Sequence, residues 1–262
     1  MQSQLAQAAA ALEAIDSPSF WQNMIDYLHA CLPFDNAIVI IFRGDSQPQI
    51  LYRRISGPDV FQHLEELYLP AAFLLDPVYH FHLNAGAAGI YRLLDIAPDQ
   101  FIRSHYYEWY YGRIGITDEV SVLLPLAADT TLTISMGKDS SSGTMFGARA
   151  LDDIAQHEPM IMALLRRHWA MRPQYPATST TAHPATQPLI VGLREASGIE
   201  LTSRQAEVAL LILRGHSSIS IATLLGIAPT TVKVFRRQLY ERCGVSSQAE
   251  LFAKLFPLLG TV

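Results

Sequence analysis

Between Leu201 and Val245 the chain reads LTSRQAEVALLILRGHSSISIATLLGIAPTTVKVFRRQLYERCGV, and its punctuation leaves room for little except three short helices joined at tight turns. Thr202 followed by Gln205 makes the two ends of a capping box, which satisfies orphan N–H groups reciprocally at a helix start. Gly215 stops that helix. Inside it Val208, Leu211 and Ile212 recur at helical spacing and are expected to face a small core, with Glu207 and Arg214 toward water. A second helix is expected over about Ser218 to Leu225, with Ile221, Ala222 and Leu225 as its apolar edge. Gly226 then supplies a sharp turn, because it takes a positive φ without a Cβ penalty. The third helix opens at Pro229, whose fixed φ suits a first helical position, and runs to about Arg242.

Val232, Phe235 and Leu239 face inward on this third helix. Thr230, Lys233, Val234 and Arg237 fall on the opposite side, since offsets of three and four residues return to one helix face. Two helices crossing at a tight turn can seat the second in a DNA major groove. Lys or Arg can bond guanine O6 and N7, and Val can touch a thymine methyl, so these four residues are the expected base readers. Thr231 and Arg236 lie beside them and suit phosphate contacts, which set register without reading sequence.

The segment resembles the C-terminal DNA-binding domain of LuxR/FixJ-type transcription regulators over about a quarter of the chain. Thr202, Arg204, Glu207, Val208, Gly215, Ile221, Ala222, Leu225, Gly226, Thr231, Val232, Lys233, Tyr240 and Gly244 stand where that family puts those residue types. The chain departs at Gln205 (usually glutamate), Ala228 (usually a capping serine), Phe235 (usually histidine) and Cys243 (usually leucine). The resemblance implies an all-α, four-helix domain whose fourth helix often supplies a dimer contact. Here Ser247 and Glu250 form another capping-box pair, and Leu251, Phe252, Leu255 and Phe256 give an apolar stripe that suits either the core or a dimer. The partners implied are double-stranded DNA, a small-molecule effector, a second copy of the chain and RNA polymerase.

A formal net charge of -5 is at first sight wrong for a DNA binder. Divided by region, residues 1–172 hold 11 Lys+Arg against 19 Asp+Glu, while residues 196–262 hold 7 against 4, so the basic balance lies where DNA is expected. MRPQYPATSTTAHPATQPLI, with Pro173, Pro176, Pro184 and Pro188, reads as a linker. The expected domains are therefore 1–170, regulatory; 171–195, a Pro/Thr-rich linker; and 196–262, DNA-binding. Half of the residues are hydrophobic, enough for a real core at this length. Cys31 and Cys243 make no disulfide framework, which favours the cytoplasm. No stretch has the apolar length of a membrane span.

In the first domain a helix from Ser19 to Leu32 precedes the strand NAIVIIFR, the turn GDSQP and a second strand QILYRRI, an antiparallel hairpin. A helix from Pro58 to about Leu69, a loop-rich stretch through Pro77, Gly86 and Gly89, and a helix from Pro98 to Tyr111 follow. Two strands, VSVLLPLA and TLTISMG, and a helix from Phe146 to Ala170 close the domain. Helices flanking an antiparallel sheet make it α+β and suggest a PAS- or GAF-like sensor.

Within HYYEWYYGRIGITDE, Tyr106 and Tyr110 share one helical face and Tyr107 and Tyr111 the next, beside Trp109, while Asp118 and Glu119 open the following strand. Aromatic faces with nearby carboxylates attract cations, so an amine-bearing metabolite between this helix and the sheet is one reading. Simple packing of the aromatics on the sheet is the other. The pair Asp76-Pro77 matches the Asp-Pro of LuxR-type acyl-homoserine-lactone sensors, whose aspartate accepts the ligand amide. His63 and Leu67 replace that family's tryptophan and tyrosine, and Tyr91 stands for a second tryptophan, which argues against a lactone. Asp76 either lines a pocket or caps the turn before Tyr79.

His80 and His82 alternate as on one side of a strand, but no further ligands are placed for a metal. A phosphate-binding GxxxxGK[ST] loop, a receiver-domain acidic pattern and a serine elbow are all missing, so no catalytic residue and no cofactor are expected and the chain is not read as an enzyme. The rival reading is a GAF/PAS-like enzyme or protein-interaction module that carries a helix-turn-helix.

Overall fold

A computed structural model describes residues 2–55, 60, 64–143, 145–171 and 186–260. In chain order the elements are α1 (Gln2–Glu13), α2 (Phe20–Cys31), β1 (Asn36–Arg43), β2 (Gln49–Arg54), α3 (Pro77–Leu83), β3 (Gly89–Arg92), α4 (Leu93–Ile96), α5 (Gly112–Ile114), β4 (Ile116–Ala127), β5 (Thr130–Asp139), α6 (Ala148–Ala170), α7 (Thr186–Ser197), α8 (Ser203–Arg214), α9 (Ser218–Leu225), α10 (Pro229–Cys243) and α11 (Gln248–Leu255). Contacts group them into two units. One comprises Met1–Val60, Ala85–Leu93 and Gly115–Ser179; the other comprises Phe61–Asn84, Leu94–Ile114 and Thr180–Val262. The second unit thus takes in two stretches expected to belong to the regulatory domain.

The first unit is a five-stranded antiparallel sheet in the order β2-β1-β5-β4-β3. Its core forms because alternate side chains of the central strands point to one face, and there Val39, Val122, Leu124, Ile134 and Met136 meet Phe20, Met24, Leu28, Ile161 and Leu165 of α2 and α6. Almost every residue of β1 is buried, as its unbroken apolar run requires. The expected hairpin, paired strands and α6 are all present. This is the α+β class expected, with helices beside the sheet.

Several elements depart from expectation. The stretch that reads as loop through Pro77, Gly86 and Gly89 holds α3 and the edge strand β3. Asp76 caps α3 by accepting the Val78 N–H at 2.8 Å, and Pro77 occupies its first turn, where a missing N–H costs nothing. Over Pro98–Tyr111 the sequence predicts one long helix. Instead a 3-10 turn at Phe101–Arg103 ends at Ser104, whose backbone is extended (ψ 149°), and a π turn covers Tyr107–Tyr111. The Ser104 hydroxyl accepts the Tyr107 N–H at 3.1 Å and so restarts the chain in a new direction. Within the helix expected from Pro58, Leu64–Tyr68 is likewise a π turn, and residues 56–59 and 61–63 lie outside the described residues. Of the expected linker, 172–185 lie outside them too, while 186–195 are not linker but the body of α7, which accepts Pro188 in its first turn.

Candidate nucleic-acid interface and effector site

The helix-turn-helix follows its local signals closely. Thr202 accepts the Gln205 N–H (3.2 Å) while the Gln205 side chain accepts the Thr202 N–H (3.1 Å), a complete capping box. Gly215, Gly226 and Gly244 end α8, α9 and α10 in left-handed conformations. Ser217 caps α9 through the Ser220 N–H, and Ser247 caps α11 through the Glu250 N–H. Glu250 reaches back to the N–H and hydroxyl of Ser246, one residue before the cap, so the second box is displaced. Ala228 makes no side-chain cap for α10. Ala228→Ser is therefore expected to raise thermal stability by about 0.5–1 kcal/mol, read as an upward shift of the unfolding midpoint.

On α10, Val232 and Leu239 are buried and Phe235 is half-buried, while Thr230, Thr231, Lys233, Val234 and Arg237 are exposed. Arg237 Nε lies 3.7 Å from Glu241 Oε1 with both side chains largely in water, a contact of little worth that leaves the guanidinium available. Arg236 donates to Gln248 Oε1 at 3.3 Å, which braces it against α11. The apolar stripe of α11 is used inside the chain. Leu251 and Leu255 are fully buried, and Phe252 stacks on Phe256 (5.2 Å) and lies 5.9 Å from Trp109.

Arg214, expected to face water, does not. Its Nε is buried with no hydrogen-bond partner among the described residues, and burial pulls its pKa down to about 10. The cause is tertiary. Gly215 O accepts the Gln100 N–H (2.9 Å), Asp99 Oδ1 accepts the Ser217 N–H (2.9 Å), and Arg214 shares its surroundings with Tyr79, His80 and His216. His80 and His82 sit on the helix α3 and not on a strand. His80 Nε2 lies 2.7 Å from Leu74 O, and no group of side chains fit for a metal occurs among the described residues.

The residues singled out for an effector separate. Asp76, Tyr106, Tyr107, Trp109, Tyr110 and Tyr111 belong to the second unit; Tyr91, Asp118 and Glu119 belong to the first. Asp118 lies inside β4, where Arg92 approaches it at 3.1 Å and the Phe146 N–H donates to it at 2.9 Å, so its charge already has a cation. Glu119 accepts from Ser121 at 3.1 Å, and the Tyr91 hydroxyl donates to Ala87 O. In the second unit the rings stack on each other: Tyr106 on Tyr110 (5.5 Å), Tyr107 on Tyr111 (5.2 Å), and Tyr110 on Tyr68 (5.6 Å). Trp109 has Arg113 over its ring at 5.0 Å. Tyr68, which sequence reasoning passes over, donates its hydroxyl to Asp76 Oδ2 at 2.6 Å.

Asp76 is both a cap and a buried acid, 6 % exposed, and burial pushes its pKa up to about 6 despite the bonds from Tyr68 and Val78. The group therefore contributes stability that is present below its ordinary value of 3.8 and lost as pH rises through 6. His216 runs the other way. Burial and then Arg214 hold it down at about 4, so its contribution is present above 6.5 and lost as pH falls through 4. The two oppose each other over nearly the same window. Asp76→Asn is expected to make stability climb more steeply between pH 4 and 6 than in the unmodified protein, as read by urea unfolding at a series of pH values.

Residues 200–255 match the pattern of bacterial regulatory proteins of the luxR family. A protein of Aeromonas salmonicida described as an HTH-type transcriptional regulator in the exeN 3′ region is 31 % identical over 172 residues, 63 % of this chain and 85 % of that protein. The chain belongs to the LuxR family of bacterial regulators. This LuxR-family protein is a DNA-binding transcription regulator. The chain is also similar to the transcriptional regulatory protein UhpA of Escherichia coli, 38 % identical over 68 residues, 25 % of this chain and 35 % of UhpA. The VqsR LBD domain of Pseudomonas aeruginosa is 30 % identical and superposes with a TM-score of 0.53, covering 64 % of the LuxR-family chain and 97 % of that domain. No single helix among the described residues is long and apolar enough to cross a membrane.

Proposed function

We propose that an amine-bearing small molecule, held at Asp76 beside Tyr68, Tyr106 and Tyr110, controls how this regulator binds its operator. The reading is supported by the likeness to a domain whose own description is LBD, and one observation carries it. Asp76 is a buried carboxylate whose hydrogen-bond partners among the described residues are a phenol and a backbone amide, and none of the described residues that shift its pKa is basic. An ammonium group beside it would supply the missing counter-charge in a poorly hydrated place, where such pairing is strongest. Thr230, Lys233, Val234 and Arg237 read bases and Thr231 and Arg236 hold phosphates, in a homodimer that acts with RNA polymerase in the cytoplasm. Modest positive charge on a single module makes pairing the natural route to affinity and makes that affinity fall steeply with salt.

Calorimetric titration of a panel of primary amines tests the effector. Binding is expected for some member at about pH 7.5, weakening as pH falls through about 6, where Asp76 gains its proton. Asp76→Asn, nearly isosteric and able to keep the Val78 bond, is expected to lose about 1–3 kcal/mol of that binding. Equal affinity in both proteins contradicts the assignment.

A further inference from the structure

The π turn Tyr107–Tyr111 sends neighbouring rings in two directions. Tyr110 is buried and stacks on Tyr68, the residue bonded to Asp76. Trp109, one position earlier, lies 4.4 Å from the ring of Phe256 and 5.9 Å from that of Phe252. Beyond them, α11 is tied to the rest of the DNA-binding module through Lys254 and Gln248. Lys254 donates to Cys243 O at 2.6 Å, Gln248 donates to Ile212 O at 3.2 Å, and Gln248 accepts from Arg236 at 3.3 Å. A chain of groups thus runs from Asp76 through Tyr68, Tyr110, Trp109, Phe256 and Phe252 along α11 to Gln248, and from there to Arg236 on α10.

We infer that the Tyr107–Tyr111 turn is the coupling element through which the state of the Asp76 site reaches α11 and α10. A π turn holds about one residue more per turn than an α turn, and such turns occur mostly as single turns within α-helices, frequently at functional sites. Tightening it to an α turn changes the rotation at each following position, so Tyr110 and Trp109 cannot both keep their present partners. The π turn and that α turn are the two discrete arrangements through which the inferred coupling would act. A rearrangement at Asp76 that shifts Tyr68 moves Tyr110, and Trp109 must then leave Phe256 or the turn must re-form. The inference rests on Asp76 being the effector site, but its test uses no effector.

Hydrogen exchange measured by mass spectrometry on the full chain tests it. Compared are the unmodified protein, Asp76→Asn, Tyr68→Phe, Trp109→Ala and the two double variants that combine Trp109→Ala with each of the others. Asp76→Asn and Tyr68→Phe are each expected to change the protection of the α11 amides by roughly threefold to tenfold. In the Trp109→Ala background neither is expected to add any change, because the route is cut. Unaltered α11 protection in both single variants overturns the inference. So does a change of equal size with and without Trp109, which means that the signal bypasses the turn. Tyr68→Phe removes only a hydroxyl, so a folding failure of Asp76→Asn leaves a decisive arm. Failure of amines to bind overturns the effector reading and leaves this result standing.

Discussion

Gly215→Ala is expected to destabilise the second unit by about 2–5 kcal/mol. Two costs combine. At φ +94° an alanine pays about 1–2 kcal/mol for the left-handed conformation. Its Cβ would also lie 2.9 Å from Phe101 Cα and 3.0 Å from Ser104 Cβ, and the first of these is main chain that cannot rotate away. Overpacking of this kind typically adds about 1–3 kcal/mol. Gly226 is the built-in comparison, because it has φ +64° and, its two chain neighbours aside, none of the described residues comes within 4 Å of the place its Cβ would take. Gly226→Ala should therefore cost only the conformational part, about 1–2 kcal/mol. Urea unfolding of the two variants separates the costs. Equal losses mean that the close approach of Phe101 to the end of α8 is not made in solution.

The second large effect is on DNA. Lys233→Ala and Arg237→Ala are each expected to cost about 1–3 kcal/mol of operator affinity and to relax preference at one base position. Arg236→Ala is expected to weaken all sequences alike and to lower the slope of log affinity against log salt by about 1. The contrast follows from position. Lys233 and Arg237 are exposed on the outer face of α10, whereas Arg236 is turned toward Gln248 of α11. A selection from randomised operators, run on each variant, shows whether the preferred base changes at all.

The parts legible in the sequence are those set by local chemistry. Thr202 with Gln205, Gly215, Gly226 and Pro229 each fix a helix end through groups within four residues, and all four ends lie where the sequence puts them. The hairpin of β1 and β2 and the paired strands β4 and β5 are likewise legible from β-branched runs between turn residues. What escapes the sequence is non-local or irregular. Arg214 looks like a solvent-facing residue at the end of an amphipathic helix, and only the packing of residues 99–104 and α3 against that end buries it. β3 is four residues long and begins with glycine, so it carries almost no alternation to detect. Two weaker signals are present in the sequence: Asp76-Pro77 is an N-cap followed by a first-turn proline, and Ser104 ahead of the tyrosine run is a cap that splits one apparent helix into two turns. The aromatic run itself suggests a cation cage, yet its rings chiefly face one another, and the acid that sequence spacing offers them, Asp118, is held by Arg92. The acid bonded within the aromatic cluster is Asp76, through a tyrosine that no spacing rule singles out.

Occupancy of the Asp76 site is expected to alter operator binding through this fold. Fluorescence anisotropy of a labelled operator, chosen by selection with the full chain, tests this most directly when titrated with and without the amine that binds most tightly. The amine is expected to change operator affinity at least severalfold in the unmodified protein, about 1–3 kcal/mol of coupling, and to leave Asp76→Asn unaffected. An amine that binds at Asp76 yet leaves operator affinity unchanged contradicts it.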